Sequence, residues 1–220
     1  VKEDTKLSFL GFGTMNGKDG KPFKTREGGV MRLENLIADI DEEMFTKIVE
    51  NRSVRDKDAR DTAKIVGLAA IKYGDLSNQA TKDYIFDVDR FTSFEGNTGP
   101  YILYTIVRIK SILNRYVEAG GNLEAGEILP ASNGSEKNLM LQLSGFGSMI
   151  ESAFEEKAPH KICAYIYEVS NAFNSFYHET KIMSEENEQI QKSYIRLLEL
   201  TKSVLEICID LLGFKAPERM

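Results

Sequence analysis

The sequence predicts a mainly α-helical protein, with a short β-hairpin or strand-loop segment at the N-terminus followed by an all-helical bundle. From residue 33 onward, apolar residues recur three and four positions apart along most of the chain, which is the period of one helix face. Before residue 33, two short apolar segments flank the loop "GKDGKPFKTREGG" at residues 17–29. A loop rich in glycine between two apolar runs is typical of a hairpin.

The N-terminal segment is expected to form two strands joined by this loop. Residues 7–15, "LSFLGFGTM", carry aromatic residues that favour a short strand. The run "KPFKT" is expected to return as the second strand, with Pro22 at an edge or at the strand start because proline cannot donate to the ladder. The loop itself is either a solvated turn or a phosphate-binding loop, since glycine and lysine serve both. Its spacing differs from that of a P-loop.

The middle of the chain predicts two helices, an extended stretch and a long third helix. The helices are expected over residues 33–51 and about 58–73, and "KDYIFDVDRF" at residues 82–91 is more extended and aromatic. The long helix runs from about 99 to 119. It is expected to stop at Gly120, because glycine accepts the left-handed conformation that ends many helices.

Three further helices are predicted after an exposed connection that contains glycines and a proline. They span about 136–156, 159–179 and 184–212. The last is expected to begin at Ser184, which is followed by two glutamates that suit the positive end of a helix. It is expected to end at Gly213.

Composition indicates a globular protein with a domain boundary near residue 100, giving segments 1–100 and 101–220. The chain is 42% hydrophobic and 28% charged, and no run of about 18 apolar residues predicts a membrane span. The net charge of −6 disfavours a polyanionic partner at long range, yet the first 32 residues carry seven Lys or Arg against four acids. The opening "VKEDTK" lacks a methionine, so we expect a piece of a longer chain.

The two cysteines, Cys163 and Cys208, are expected to be buried thiols because both lie among apolar residues. A zinc site is not predicted, since only His160 lies at short spacing from either cysteine. Free thiols fit a reducing cytoplasm.

Several side chains are candidates for contact with RNA. Phe173, Phe176 and Tyr177 share one helix face, and aromatic rings of this kind can stack on unpaired bases. We expect the two phenylalanines in the core, whereas Tyr177 differs because it carries a polar tip and lies near the helix end. Arg108 and Arg115 also share a face, which either contacts RNA phosphates or is simply solvated.

The stretch "FEGNTGPYILY" marks a sharp entry into the long helix. Asn97 and Tyr101 in this stretch are interpreted first as structural residues at the joint, because helix starts need partners for their backbone groups. Contact with RNA is the alternative reading for both residues.

Four stretches in order resemble the C-terminal part of arginyl-tRNA synthetases, a class I family. They are "FGTMNGKDGKPFKTREGGVMRLENLI", "VGLAAIKYGDLSNQATKDYIFDVDRFTSFEGNTGPYILYTIVRIKSIL", "PHKICAYIYEVSNAFNSFYHE" and the terminal "LLGFKAPERM". The resemblance covers about residues 9–220, with residues 120–145 the poorest part. It implies a remnant of the catalytic domain followed by a helical anticodon-binding domain.

The resemblance gives the opening loop a role, because "PFKTR" stands where the family has its "KMSKS"-type loop. That role is to position ATP phosphates while arginine is activated to its adenylate, through charge stabilisation. The implied catalytic residues are Lys21, Lys24 and Arg26, with Lys18 a weaker candidate. ATP and Mg²⁺ belong to the full-length enzyme, and we expect neither bound to this chain. No metal site is implied.

The resemblance also implies partners. These are tRNA(Arg) and the N-terminal catalytic part of the same enzyme, because a "HIGH"-type motif and a Rossmann domain are missing here; this chain alone should not aminoacylate. Tyr177 and Met220 are placed at the anticodon surface. Leu103 stands where the family commonly has glutamine, so a polar contact there is not carried over. A cytoplasmic location follows.

Two alternatives to a synthetase piece stay open at this point. One is a stand-alone, non-catalytic RNA-binding protein that kept the helical domain. The other is a helical interaction module, which predicts no affinity for RNA and an exposed apolar patch for a protein partner.

Overall fold

A computed structural model of the protein describes residues 5, 7–18, 20–21, 32–50 and 56–220, and in that part the chain is mainly helical, as predicted. Within these described residues there are two short strands, β1 (Met15–Asn16) and β2 (Tyr84–Ile85). The helices are α1 (Leu33–Glu50), α2 (Asp56–Leu76), α3 (Val88–Phe91), α4 (Gly99–Glu118), α5 (Gly134–Ser144), α6 (Phe146–Glu155), α7 (Pro159–Glu179) and α8 (Glu188–Leu211).

β1 has a strand partner that the sequence does not predict. β1 pairs in parallel with β2, and the Phe86 amide extends the pairing by donating to the Asn16 carbonyl over 2.8 Å. Apart from Lys21, the expected returning strand "KPFKT" lies outside the described residues. The hairpin therefore stays a prediction. The observed partner of β1 lies 69 residues away, because α2 returns the chain to it.

One hydrophobic core runs through all the long helices. α1 packs on α2, α2 packs on α4 and α7, and α4 packs on α8. α5 and α6 cover the remaining side of α7. Phe173 and Phe176 are completely buried, which confirms their predicted place in the core. Other fully buried members are Ile40, Met44, Tyr73, Ile102, Ile106, Ile109 and Leu139.

Local signals place the start of α4 where the sequence predicts it. The Thr98 hydroxyl accepts a hydrogen bond of 3.2 Å from the Tyr101 amide, as a helix N-cap does. Gly99 lets α4 approach α2 closely, because a Cβ at this position would lie 2.3 Å from the Ala69 carbonyl oxygen. α4 ends before Gly120, whose φ of 90° is the expected left-handed value.

The predicted helix over residues 136–156 is two helices, α5 and α6, separated at Gly145. The Gly145 amide donates to the Gln142 carbonyl, so the last turn of α5 is tightened there. α5 also starts earlier than predicted, because the Asn133 side chain accepts a hydrogen bond of 2.8 Å from the Glu136 amide. Glu136 in turn accepts a hydrogen bond of 2.7 Å from the amide of Ser132, the residue before the cap, which fixes the chain as it enters α5.

α8 begins later than Ser184, the start that the sequence predicts. Ser184 belongs to a separate 3₁₀ turn, and the cap of α8 is Asn187. The Asn187 side chain accepts hydrogen bonds of 3.0 Å from the Gln189 amide and 3.3 Å from the Ile190 amide. Asparagine is as good a cap as serine, so two adjacent start signals compete and the second one determines the boundary.

Cys163 and Cys208 are fully buried free thiols, as predicted. Burial raises the pKa of both thiols to about 12. We therefore expect the folded chain to react very slowly with an aromatic disulfide reagent at about pH 8. The thiols stay protonated at this pH, and burial shields their sulfur atoms from the reagent. Unfolding in guanidinium chloride should release both thiols. Fast labelling of the folded chain would contradict this, and Cys208→Ser would show which thiol reacts.

Candidate functional site

Lys18, at the base of the glycine-rich loop, is held by two carboxylates. Its Nζ lies 2.5 Å from Asp89 Oδ2 and 3.2 Å from Asp87 Oδ1. The hydrogen bond to Asp89 raises the pKa of Lys18, and the same contact lowers the pKa of Asp89. Lys21 is exposed in the described part of the loop. Lys24 and Arg26 lie outside the described residues, so the assignment of a phosphate-binding role to this loop stays a prediction.

Tyr101 joins the start of α4 to the middle of α7. Its hydroxyl donates to Asn171 Oδ1 over 2.8 Å and accepts from Asn174 Nδ2 over 2.9 Å. Its ring meets the Tyr167 ring edge-on, with centroids 5.8 Å apart. Burial raises the pKa of the Tyr101 phenol. Tyr101 is thus a structural residue at the α4–α7 contact, and it also orients the two asparagines.

Arg108 lies two turns further along α4, between two aromatic rings. Its guanidinium carbon is 4.7 Å from the Tyr104 ring centre and 5.3 Å from the Tyr177 ring centre. Nη1 donates to Asn174 Oδ1 over 2.8 Å, and Nη2 donates to the Tyr104 hydroxyl over 3.0 Å. We call the connected group the tyrosine–arginine cluster; its members are Tyr101, Tyr104, Arg108, Asn171, Asn174 and Tyr177.

The tyrosine–arginine cluster offers the groups that unstacked RNA bases bind. Tyr104 remains 41% exposed. The Tyr177 ring is half-buried and stacks on the buried Phe173 ring, with centroids 6.0 Å apart. A ring that is held in place by a buried neighbour, as Tyr177 is by Phe173, can stack on a base. A guanidinium can contact a phosphate or a base edge. Of the sequence-predicted residues, the structure brings Tyr101, Arg108 and Tyr177 together here.

The other sequence-predicted residues lie apart from the cluster. Asn97 Oδ1 is 2.5 Å from the buried Tyr73 hydroxyl, so its observed contact is structural. Arg115 is exposed on α4, whereas Met220 is partly buried and packs against the core. Within the described part of the chain, no hydrogen bond, ion pair or ring contact connects these three side chains to the cluster.

Asn171, Asn174 and Tyr104 are not among the sequence-predicted residues. A signal was present in the spacing. Asn171, Asn174 and Tyr177 recur every third position on α7, and Tyr104 lies between Tyr101 and Arg108 at helical intervals on α4. Two polar and aromatic stripes of this kind suit facing helices, but the sequence does not show that the helices face each other.

The described residues meet the requirements of neither a metal site nor a membrane-spanning helix. Over residues 32–50, 56–220 and the described N-terminal positions, no three His, Cys, Asp or Glu side chains could hold a metal ion. In the same ranges no helix is long and apolar enough to cross a bilayer.

Two family models cover most of the chain. The DALR anticodon binding domain matches residues 102–220, which is more than half of the sequence. The catalytic domain of class I (R) tRNA synthetases matches residues 1–88. The chain belongs to the arginyl-tRNA synthetase family. It corresponds to the C-terminal portion of that family's members, as the resemblance implied.

Curated members of the arginyl-tRNA synthetase family are much longer than this chain. An arginine–tRNA ligase from Agathobacter rectalis is 66% identical over all of this chain, which covers 38% of that protein. One from Alkaliphilus oremlandii is 56% identical over 99% of this chain, and the match covers 37% of that protein. The chain therefore spans little more than a third of the length of these relatives.

Solved structures of family members share the fold. The arginyl-tRNA synthetase of Plasmodium falciparum superposes with a TM-score of 0.79 at 28% identity, over 96% of this chain and 35% of that one. The Thermus thermophilus enzyme gives a TM-score of 0.84 at 24% identity, again over 96% of this chain and 35% of that one. The latter comparison supports the fold alone.

Proposed function

We propose that this chain is the tRNA-binding C-terminal part of an arginine–tRNA ligase. The observation that carries the proposal is the tyrosine–arginine cluster, which lies on α4 and α7 within the segment that matches the anticodon binding domain. Aromatic faces, a guanidinium and amide groups in one place are what single-stranded RNA loops bind.

The complete enzyme activates arginine with ATP and Mg²⁺ and transfers it to tRNA(Arg). Lys21, Lys24 and Arg26 in the opening loop position the ATP phosphates, where positive charge stabilises the departing pyrophosphate. This chain spans 38% of a curated relative. It therefore needs the N-terminal catalytic part as a partner, is inactive alone and binds neither ATP nor Mg²⁺ by itself. A cytoplasmic location belongs to the same proposal.

Six residues are assigned to the tRNA interface, with different tasks. Tyr177 stacks on an anticodon base, and Met220 packs against another. Arg108 and Arg115 contact phosphates, which fix the position of the RNA without reading its sequence. The remaining two, Tyr101 and Asn97, hold the interface in shape from the joint between the segments.

The experiment compares the binding of this chain to tRNA(Arg) and to a tRNA with an unrelated anticodon over a salt series. We expect tighter binding to tRNA(Arg) that survives moderate salt. Tyr177→Ala should weaken it by about 1–3 kcal/mol, because one base loses its stacking partner. Arg108→Gln should lower the slope of log K against log salt by about one, because one phosphate contact is lost.

Phe154→Ala is the matched control for Tyr177→Ala. Phe154 is an 83% exposed aromatic residue on α6, so its removal should leave RNA binding unchanged. Tyr177→Phe should retain most of the affinity, and thermal unfolding would verify that each variant is folded. Equal, weak binding of both tRNAs that disappears as salt rises would overturn the proposal that this chain reads the anticodon.

A further inference from the structure

The last residues of the chain form a packed segment, which we call the C-terminal tail (residues 213–220). Gly213 adopts a φ of 80° and turns the chain away from α8. Phe214 follows with only 4% of its surface exposed. Met220 packs against the core at the end of the tail. A segment beyond the last helix usually frays unless contacts hold it down, so the contacts of this tail decide where it lies.

One contact holds the beginning of the tail. Lys72 on α2 donates from Nζ to the Gly213 carbonyl over 2.7 Å. A cation at a helix C-terminus satisfies a carbonyl that has no partner within the helix. The turn that starts the tail is thereby fixed to the neighbouring helix.

A second contact holds the far part of the tail. Lys110 on α4 has a side chain that is only 13% exposed, and its Nζ lies 2.8 Å from Glu218 Oε1 and 3.4 Å from Glu206 Oε1. Arg115, on the same helix, is exposed. Lys110 is thus paired with a carboxylate on α8 and with one on the tail, and the tail carboxylate, Glu218, is itself 83% exposed.

We propose that Lys110 is a positioning residue that holds the tail against α4 through Glu218, and that the docked tail is required for RNA binding. This inference rests on the proposed function. Arg219 and Met220 directly follow Glu218, so its ion pair restricts where both of them lie. The competing role for Lys110 is direct contact with an RNA phosphate, which predicts different results for the same variants.

The sign of the Glu218→Gln effect separates the two roles. Removing a carboxylate near a phosphate-binding surface should strengthen RNA binding if charge alone matters. The positioning role predicts the opposite, because the apparent Kd rises as the docked fraction falls. We expect Kd for tRNA(Arg) to rise about fivefold in both Lys110→Gln and Glu218→Gln, with an unchanged salt slope.

Two further variants complete the set. Glu206→Gln removes the other carboxylate at Lys110 but leaves the tail pair intact, so it should not raise Kd. The double variant Lys110→Gln/Glu218→Gln should bind no more weakly than Lys110→Gln alone, because coupled residues are not additive. Release of the tail is measured independently, as faster removal of the last residues by carboxypeptidase in Lys110→Gln and Glu218→Gln.

The possible outcomes are distinguishable. Faster tail removal together with higher Kd in both single variants supports the inference. Tighter binding by Glu218→Gln, a lower salt slope in Lys110→Gln, or unchanged tail removal would each overturn it. If Tyr177→Ala and Arg108→Gln weaken binding while the Lys110 and Glu218 variants do not, the inference fails and the proposed function stands. If none of the four variants affects binding, both fail.

Discussion

Replacing Phe173 with alanine is expected to lower the free energy of unfolding by about 3–5 kcal/mol. Phe173 is completely buried at the centre of α7, so its truncation removes a full aromatic contact surface and leaves a cavity. The same ring supports Tyr177 from below, with a centroid separation of 6.0 Å. Urea denaturation followed by far-ultraviolet circular dichroism would measure the loss.

A variant that nearly conserves volume provides the control for this prediction. Phe173→Leu keeps an apolar side chain of similar size, and swaps of this kind usually cost less than about 1.5 kcal/mol. A loss below about 1 kcal/mol for Phe173→Ala would show that the α4–α7 region collapses easily around the missing ring. That result would contradict the rigid support that we assign to Tyr177.

Replacing Gly99 with alanine should also be strongly destabilising, by about 1–3 kcal/mol. The added Cβ would lie 2.3 Å from the Ala69 carbonyl oxygen and 3.0 Å from the Ala70 amide nitrogen. Both atoms belong to the backbone of α2, which cannot move aside as a flexible side chain can. We expect α4 to be pushed away from α2, and thermal unfolding would report the change.

Gly134 is a matched control for Gly99, because each is the first residue of its helix and follows a capping residue. No atom lies within 4 Å of a Cβ built on Gly134. Gly134→Ala should therefore be neutral or stabilise the chain by about 0.4–1 kcal/mol, since it restricts the unfolded state. Equal effects of the two substitutions would rule out steric contact as the cause.

The long helices were predictable wherever local signals agreed. α4 and α7 begin and end within one residue of the predicted positions, because a cap, a proline or a terminal glycine coincides with the end of the apolar pattern. The break at Gly145 was missed, since an isolated glycine is tolerated inside many helices. The pairing of β1 with β2 depends on how α2 folds back, and no local pattern contains that information.

The candidate site was predictable only where the signal lies within a single helix. Spacing and family resemblance identified Arg108 on α4 and Tyr177 on α7, because each residue could be recognised from the sequence of its own helix. The ring and guanidinium contacts between α4 and α7 depend on tertiary packing, so Asn174 was not identified. Lys110 is not among the sequence-predicted residues, yet its side chain is only 13% exposed. Which carboxylates surround a lysine is decided by distant parts of the chain.

The contacts of Tyr73 limit where two related chains can be joined to make a hybrid. Residues 89–101 lie between the segments that the two family models match, so this stretch is an obvious place to join two parents. The fully buried Tyr73 side chain spans that gap, with its hydroxyl 2.5 Å from Asn97 Oδ1 and 2.8 Å from the Cys163 carbonyl. A hybrid joined near residue 100 would combine a Tyr73 from one parent with a Cys163 region from the other. Two parents are compatible when their residues on both sides of this contact fit each other. A hybrid should therefore take α2 and residues 101–220 from the same parent.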